Sequence, residues 1–159
     1  MTTIRLPKME EEEIEALIEG QRLCRIAFKG GRYPYMAPFQ YVRKDGALYF
    51  HFTDYGKKMR LLNRDRRVCV GIESFNPDMS EYNFVVLRGT LEVVEDPGER
   101  ADAIERMAEE GRENLSENFL AAHGFDREMG WSSFTPEEPL TIVKMDRIDE
   151  VVGLKSPEY

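Results

Sequence analysis

Apolar and polar residues alternate in several short stretches of this chain. The alternation is clearest at 23–28, where Cys24, Ile26 and Phe28 fall on one face, and it recurs at 47–52. A period of two residues is typical of strands that are buried on one face. The same pattern, with turn residues between the stretches, predicts six strands, at 23–28, 33–43, 47–52, about 67–75, about 83–94 and 140–154.

Turn and helix patterns fill the gaps between these strands. Lys29–Arg32 and Lys44–Gly46 contain residues that close β-hairpins, so the first three strands should be antiparallel neighbours. Gly89 is expected to bend or bulge the fifth strand. Helical spacing predicts helices at 10–20, 57–63 and 99–112, with 115–134 only partly helical. The prediction is a mainly β fold with inserted helices, a single domain over residues 1–159 built as a closed or split six-stranded antiparallel barrel.

Composition narrows the class of partner. The 159 residues carry a net charge of −8, which argues against nucleic acid or an anionic membrane as the main partner. No apolar run approaches the roughly 18 residues that span a bilayer, and the start of the chain lacks the apolar core of a secretion signal, so we expect a cytoplasmic protein. Cys24 and Cys69 are predicted to be buried thiols, with a redox or metal role as the alternative.

One short basic segment stands out in this acidic chain. Its cationic residues are Lys57, Lys58, Arg60, Arg64, Arg66 and Arg67. Lys57 and Lys58 fall in the first turn of a predicted helix, where the helix dipole disfavours cations. Such a pair is favourable beside an anion, and helix N-termini bind phosphate readily. Part of the segment is expected to be a solvated helix face, and the lysine pair predicts a phosphorylated ligand.

Two further features surround that helix in the sequence. Pro34 and Pro38 interrupt the second predicted strand, and because proline lacks an N–H donor, this strand should lie at an edge or a bulge. Backbone groups near Pro38 would then be free to bind a planar heterocycle. His51 is out of phase with Leu48 and Phe50, so it should face away from the core, either as an exposed or hydrogen-bonded histidine or at the border of a ligand. His123 has no ligand spacing to it, so no metal site is predicted.

These residues, taken in order, resemble a known superfamily. The matching segments are Arg32-Tyr33-Pro34, Pro38-Phe39, Asp45 to His51, Gly56-Lys57-Lys58, Leu62 and Arg67-Val68-Cys69. Together they are similar to the pyridoxamine 5′-phosphate oxidase-like superfamily, and most similar to its branch of nitroimidazole-resistance proteins. The resemblance extends over about residues 14–94, and the last strand fits it more loosely. The Arg-x-x-x-Leu-Lys phosphate motif of true pyridoxamine phosphate oxidases is not found, so oxidation of pyridoxamine phosphate is not expected.

The resemblance implies a dimeric split β-barrel that holds FMN in a cleft between its subunits. It places four consecutive residues beside the isoalloxazine, namely Pro38, Phe39, Gln40 and Tyr41. Nearer the ring and ribityl chain it places His51, Phe52 and Thr53. Lys57 and Lys58 would bind the phosphate. Trp131, outside the well-matched region, would either cover the flavin or pack in the core.

Two classes of function follow from this interpretation. The first is an FMN-dependent oxidoreductase that reduces a small electron acceptor, nitro-aromatic compounds being one class. The second is a non-catalytic module that binds FMN, haem or a deazaflavin, with His51 as the candidate haem ligand. A dimeric scaffold without ligand is the third hypothesis. No catalytic residue is identified by the sequence.

Overall fold

The computed structural model describes residues 5–157, and six antiparallel strands dominate it. The strands are β1 (Leu23–Phe28), β2 (Tyr35–Lys44), β3 (Ala47–Phe52), β4 (Arg67–Phe75), β5 (Tyr82–Val93) and β6 (Thr141–Lys155). They form a closed barrel in the order β1-β2-β3-β6-β5-β4. The predicted mainly β fold with a six-stranded antiparallel barrel is therefore confirmed.

Residues 5–157 also contain four α-helices, one before the first strand and three between strands. They are α1 (Glu11–Gly20), α2 (Lys57–Arg64), α3 (Pro97–Asn114) and α4 (Glu117–Ala121), with a 3₁₀ turn at Gly130–Ser133. The start of α3 is fixed by Asp96, whose carboxylate accepts a hydrogen bond of 2.7 Å from the Glu99 N–H, and by Pro97 in the first turn. No helix within residues 5–157 is long and apolar enough to cross a membrane.

Two hydrophobic clusters hold these elements together. The first fills the barrel, and the alternating burial of β1 sends Cys24, Ile26 and Phe28 into it as predicted. The second lies outside the barrel, where α3 and 115–134 pack against the outer face of β2, β3 and β6. The segment that was predicted to be only partly helical thus covers one outer wall of the barrel.

The second strand has one incompletely paired edge. Residues Tyr35–Gln40 of β2 pair with β1, but pairing with β3 begins only at Tyr41. On that side the first half of β2 has no strand partner among the described residues, which agrees with the edge position predicted from Pro38. Backbone groups along this edge are consequently available to a ligand.

Two smaller predictions have different outcomes. The strand irregularity predicted at Gly89 is present as a register shift between β5 and β6, and a Cβ at Gly89 would lie 2.3 Å from the Arg147 carbonyl oxygen. Cys24 is a buried thiol, and desolvation raises its pKa to about 12. The prediction that Cys69 is buried is wrong, because Cys69 lies on the outer face of β4, opposite to Val70.

Candidate functional site

The start of α2 lies directly against the first half of β2. The Lys57 Nζ is 4.7 Å from the centroid of the Tyr35 ring, and the Lys58 Nζ is 4.9 Å from that of the Phe39 ring. Ammonium groups at this distance from an aromatic face are held by cation–π attraction. The predicted lysine pair and the predicted edge strand therefore form one site.

The electrostatics of this helix start favour an anion. The helix begins after Gly56 without a side-chain cap and without an acidic residue in its first turn, so its first amide groups lack intrahelical acceptors. Neither Lys57 nor Lys58 forms an ion pair with a residue in the described range. Burial lowers the pKa of Lys58, because desolvation disfavours its charged form. A phosphate here would meet two ammonium groups and the positive end of a helix.

Arg67, from the same basic segment, is not available in this way. Its Nε and Nη2 donate to the two carboxylate oxygens of Asp65 at 2.9 Å and 2.8 Å. Lys29 adds an ion pair to the same carboxylate at 3.1 Å. The Arg67 contacts lower the pKa of Asp65. Arg67 is thus paired with Asp65, whereas Lys57 and Lys58 have no anionic partner among the described residues.

The residues assigned to the cofactor differ in which of their groups face outwards. Pro38 is exposed and Gln40 is half-buried. The side chains of Phe39, Tyr41 and Phe52 are buried in the barrel cluster, so only their backbone could meet a ligand outside. The Tyr41 amide already donates to the Arg22 carbonyl at 3.2 Å.

Thr53 follows β3 and leads into the turn before α2. Its side chain is half-buried, and its hydroxyl donates to the Tyr55 carbonyl at 2.9 Å. This bond ties the turn between β3 and α2 to itself. Thr53 therefore shapes the approach to Lys57 and retains hydroxyl lone pairs that can accept a further bond.

His51 points away from the barrel interior, as its phase in the strand predicts, but it is neither exposed nor hydrogen-bonded in the manner of an ordinary strand histidine. The ring centroids of Phe125 and Phe134 lie 5.8 Å and 5.4 Å from that of His51. Desolvation, with smaller contributions from the charges of His123 and Lys58, lowers the pKa of His51 to about 4. The aromatic segment after α3 therefore keeps this imidazole neutral at physiological pH.

A small pocket lies between His51 and that aromatic segment. We call it the Trp131 pocket; its volume is about 20 Å³ and its polar lining residues are Gln40, His51, His123 and Trp131. Trp131 is 5% exposed, packs on Phe134, and places its benzo ring against Gly111 of α3. It therefore packs in the core and also lines the pocket.

The hydrogen bonds around the Trp131 pocket fix two of its polar groups. The Gln40 amide nitrogen donates to the Met107 carbonyl at 3.1 Å, and His123 Nδ1 lies 2.7 Å from the Phe119 carbonyl. Because a carbonyl only accepts, His123 Nδ1 carries a proton. Sequence reasoning missed His123 because its spacing to His51 carries no motif; the only indication was the run of aromatic residues around it.

A much larger groove than the Trp131 pocket lies elsewhere among the described residues. It measures about 800 Å³ and runs between α1, the β2–β3 turn and α3. Its basic and acidic side chains largely neutralise one another, as in the ion pair of 3.4 Å between Arg43 and Glu19. The groove lacks the uncompensated cations found at α2, so the α2 region is the better candidate for a site.

Comparison with known proteins agrees with the fold. A family model described as pyridoxamine 5′-phosphate oxidase matches residues 10–127, whereas none of the curated proteins matches the sequence. Several solved structures are similar over nearly the whole chain, and three of them represent the group.

The first is an FAD-binding protein from Mesorhizobium loti, with 18% identity, a TM-score of 0.70 and coverage of 97% of this chain and 100% of that one. A conserved hypothetical protein from Mycobacterium tuberculosis has 18% identity, a TM-score of 0.73 and coverage of 99% and 96%. A putative 5-nitroimidazole antibiotic resistance protein from Bacteroides thetaiotaomicron has 17% identity, a TM-score of 0.64 and coverage of 99% and 98%. At these identities the likeness concerns the fold.

Proposed function

Because the chain belongs to the pyridoxamine 5′-phosphate oxidase family, we propose that it is an FMN-binding oxidoreductase that reduces a small electron acceptor. The observation that carries this proposal is the pair Lys57 and Lys58 at the uncapped start of α2, beside the unpaired edge of β2. The similar protein from Mesorhizobium loti is described as FAD-binding, which supports a flavin as the cofactor. FMN ends in a phosphate monoester, which suits two ammonium groups and a helix N-terminus.

Different residues of the site would contact different parts of the cofactor. Lys57 and Lys58 would bind the phosphate together with the first amides of α2. The isoalloxazine would lie along Pro38–Tyr41, with Phe39 contributing backbone and Gln40 its amide side chain. His51, Phe52 and Thr53 would border the ring and ribityl chain, Phe52 by its backbone. The flavin supplies the electron transfer, while the protein supplies position and electrostatics.

The proposal extends to assembly and location. We propose a cytoplasmic homodimer with two equivalent FMN clefts between its subunits and a small-molecule substrate. Tyr33, Met36 and Tyr55 are largely exposed at the end of the barrel where β2 begins and α2 starts. Aromatic residues and methionine are enriched in the cores of protein interfaces, so this end suits a second copy. Because Trp131 is buried, it would line the side of the cleft rather than cover the flavin.

The second candidate function is a module that binds FMN, haem or a deazaflavin without turnover. A neutral histidine can ligate haem iron, and the pKa of His51 is lowered to about 4. The rings of Phe125 and Phe134 lie over that imidazole, where a porphyrin would have to approach. This geometry favours flavin over haem, and the visible spectrum of the purified protein separates them.

Removing the lysines tests the proposed function. We expect Lys57→Ala or Lys58→Ala to weaken FMN binding about tenfold to a hundredfold, because a hydrogen bond to a charged group contributes about 1.5–3 kcal/mol. The double variant should lose nearly all of its flavin and remain folded. The measurement is flavin absorbance per chain after purification, with the dissociation constant obtained by titrating FMN.

Arg60→Ala is the matched control, since Arg60 is an exposed cation on the same helix. It removes the same charge from α2 and should keep its flavin. Circular dichroism shows whether each variant is folded. Full FMN occupancy in the folded double variant would overturn the proposed phosphate site.

A further inference from the structure

The indole N–H of Trp131 is fully buried and has no hydrogen-bond partner among residues 5–157. Burying a polar group without a partner costs about 1–3 kcal/mol, so such groups are rare and require an explanation. Trp131 itself lines the pocket that bears its name. A ligand atom that accepts a hydrogen bond in this pocket would satisfy the orphaned donor.

The charges around the Trp131 pocket favour a negative ligand. No Asp or Glu within residues 5–157 lines it, although the chain contains 30 of them. The imidazoles of His51 and His123 line it, and the charge of Lys58 acts on His51. The pocket thus combines an N–H donor and two imidazoles without a carboxylate, in a protein of net charge −8. Its chemistry is that of a site for an anionic oxygen.

The size of the pocket limits what can enter. A volume of about 20 Å³ is just above the roughly 10–15 Å³ that a cavity needs to hold one water-sized group, and it does not admit an aromatic ring. It therefore takes a terminal group of a ligand whose remaining atoms lie outside. His51, which lines the pocket, is close enough to Lys58 for the charge of that lysine to act on it, so the pocket adjoins the proposed flavin cleft.

We propose that the Trp131 pocket binds one oxygen of a carboxylate carried by the small electron acceptor. Trp131 Nε1–H donates to that oxygen, and His51 faces it from the barrel wall. The proposal rests on the proposed function, because it assigns the pocket to the acceptor of the flavin's electrons. It names the substrate class as a small carboxylate.

Carboxylate binding should be coupled to a proton on His51. An anion beside an imidazole stabilises its protonated form, so the bound state has a higher His51 pKa than the free state. The charged or titratable groups that act on His51 are His123, which follows α4, and Lys58 on α2. Phe125 and Phe134 cover the rest of the ring and carry no charge. Binding should tighten by up to about tenfold per pH unit as pH falls between the bound and free pKa values.

Formate is the probe for this site, and Trp131 is the natural reporter because it is the only tryptophan of the chain. We expect formate to change the fluorescence of the purified protein in a saturable way. Formate should bind more tightly at about pH 5 than at about pH 7. Formamide has the same shape without the charge, so its carbonyl can accept from Trp131 but should bind more weakly than formate and without the pH dependence. His51→Gln should remove the pH dependence.

Trp131→Phe keeps an aromatic ring and deletes the donor, so formate should bind about tenfold to a hundredfold more weakly, as followed by NMR of the His51 ring. Absence of a saturable formate effect, or an equal response to formamide, would overturn the proposal. Flavin content is measured in parallel. Lys57→Ala weakens the proposed phosphate site and keeps Lys58, whose charge acts on His51. Formate binding by this variant at reduced flavin content would separate the two proposals.

Discussion

At the scale of single residues, the surroundings of His51 keep its imidazole neutral. The pKa of an ordinary histidine side chain is about 6.5, so half of such side chains are charged at that pH. The cover of Phe125 and Phe134 lowers the pKa of His51 to about 4. The folded protein therefore resists protonation at a position where the unfolded chain does not.

This difference predicts how stability depends on pH. The folded pKa of His51 lies below the unfolded value, so the unfolded chain binds the extra proton between about pH 6.5 and 4. Stability that is present above this window should fall as pH falls through it, with a slope of at most about 1.4 kcal/mol per pH unit. Urea unfolding at several pH values measures the slope, and His51→Gln should flatten it. An unchanged slope in that variant would refute this origin.

The residues of the candidate site could be predicted only where local pattern carries the information. The paired Lys57 and Lys58 at a helix start, and the outward phase of His51 in its strand, both depend on near neighbours. The contact of Gln40 with Met107, and the approach of His123 to His51, join segments far apart in sequence. No local pattern encodes such contacts, so they became visible only in the fold.

At the scale of elements, the close packing of α3 on the 3₁₀ turn at Gly130–Ser133 depends on one missing methyl group. A Cβ at Gly111 would lie 2.3 Å from the Trp131 ring, closer than atoms approach one another. Glycine inside a helix is unfavourable by roughly 0.5–1 kcal/mol relative to alanine, so this glycine is explained by packing. Periodicity predicted α3 but could not show that its glycine meets a tryptophan twenty residues later.

Gly111→Ala should therefore destabilise the protein by about 1–3 kcal/mol, because the indole must move away from α3. Thermal unfolding measures the loss, and a red-shifted Trp131 emission should accompany it. Gly20→Ala is the control, since nothing lies within 4 Å of a Cβ at the end of α1. Equal unfolding temperatures for the two variants would show that the close contact between Gly111 and Trp131 does not determine stability.

At the scale of the whole molecule, exposed apolar side chains lie at opposite ends of the barrel. Met36 is 62% exposed near the start of β2, while Phe75 is 59% exposed at the far end of β4. Only the first of these ends adjoins Lys57 and the unpaired edge of β2. A subunit interface at the Met36 end would enclose the proposed flavin cleft.

Introducing a charge at one end or the other tests which end forms the subunit interface. We expect the protein to sediment at twice its 18.5 kDa chain mass at micromolar concentration. Met36→Glu should shift it towards the monomer and reduce its flavin content, because burying an unpaired charge in an interface is unfavourable. Phe75→Glu should do neither. A monomeric parent protein, or dissociation by Phe75→Glu alone, would contradict this arrangement.

The position of β6 in the closed barrel also governs how the chain can fold during synthesis. This strand pairs with both β3 and β5, yet it is encoded after all the others. Until β6 leaves the ribosome, the nascent chain can form at most an open five-stranded sheet with β3 and β5 as unprotected edges. Such edges are templates for aggregation, so the wait for the last strand is the interval in which a chaperone would be needed most.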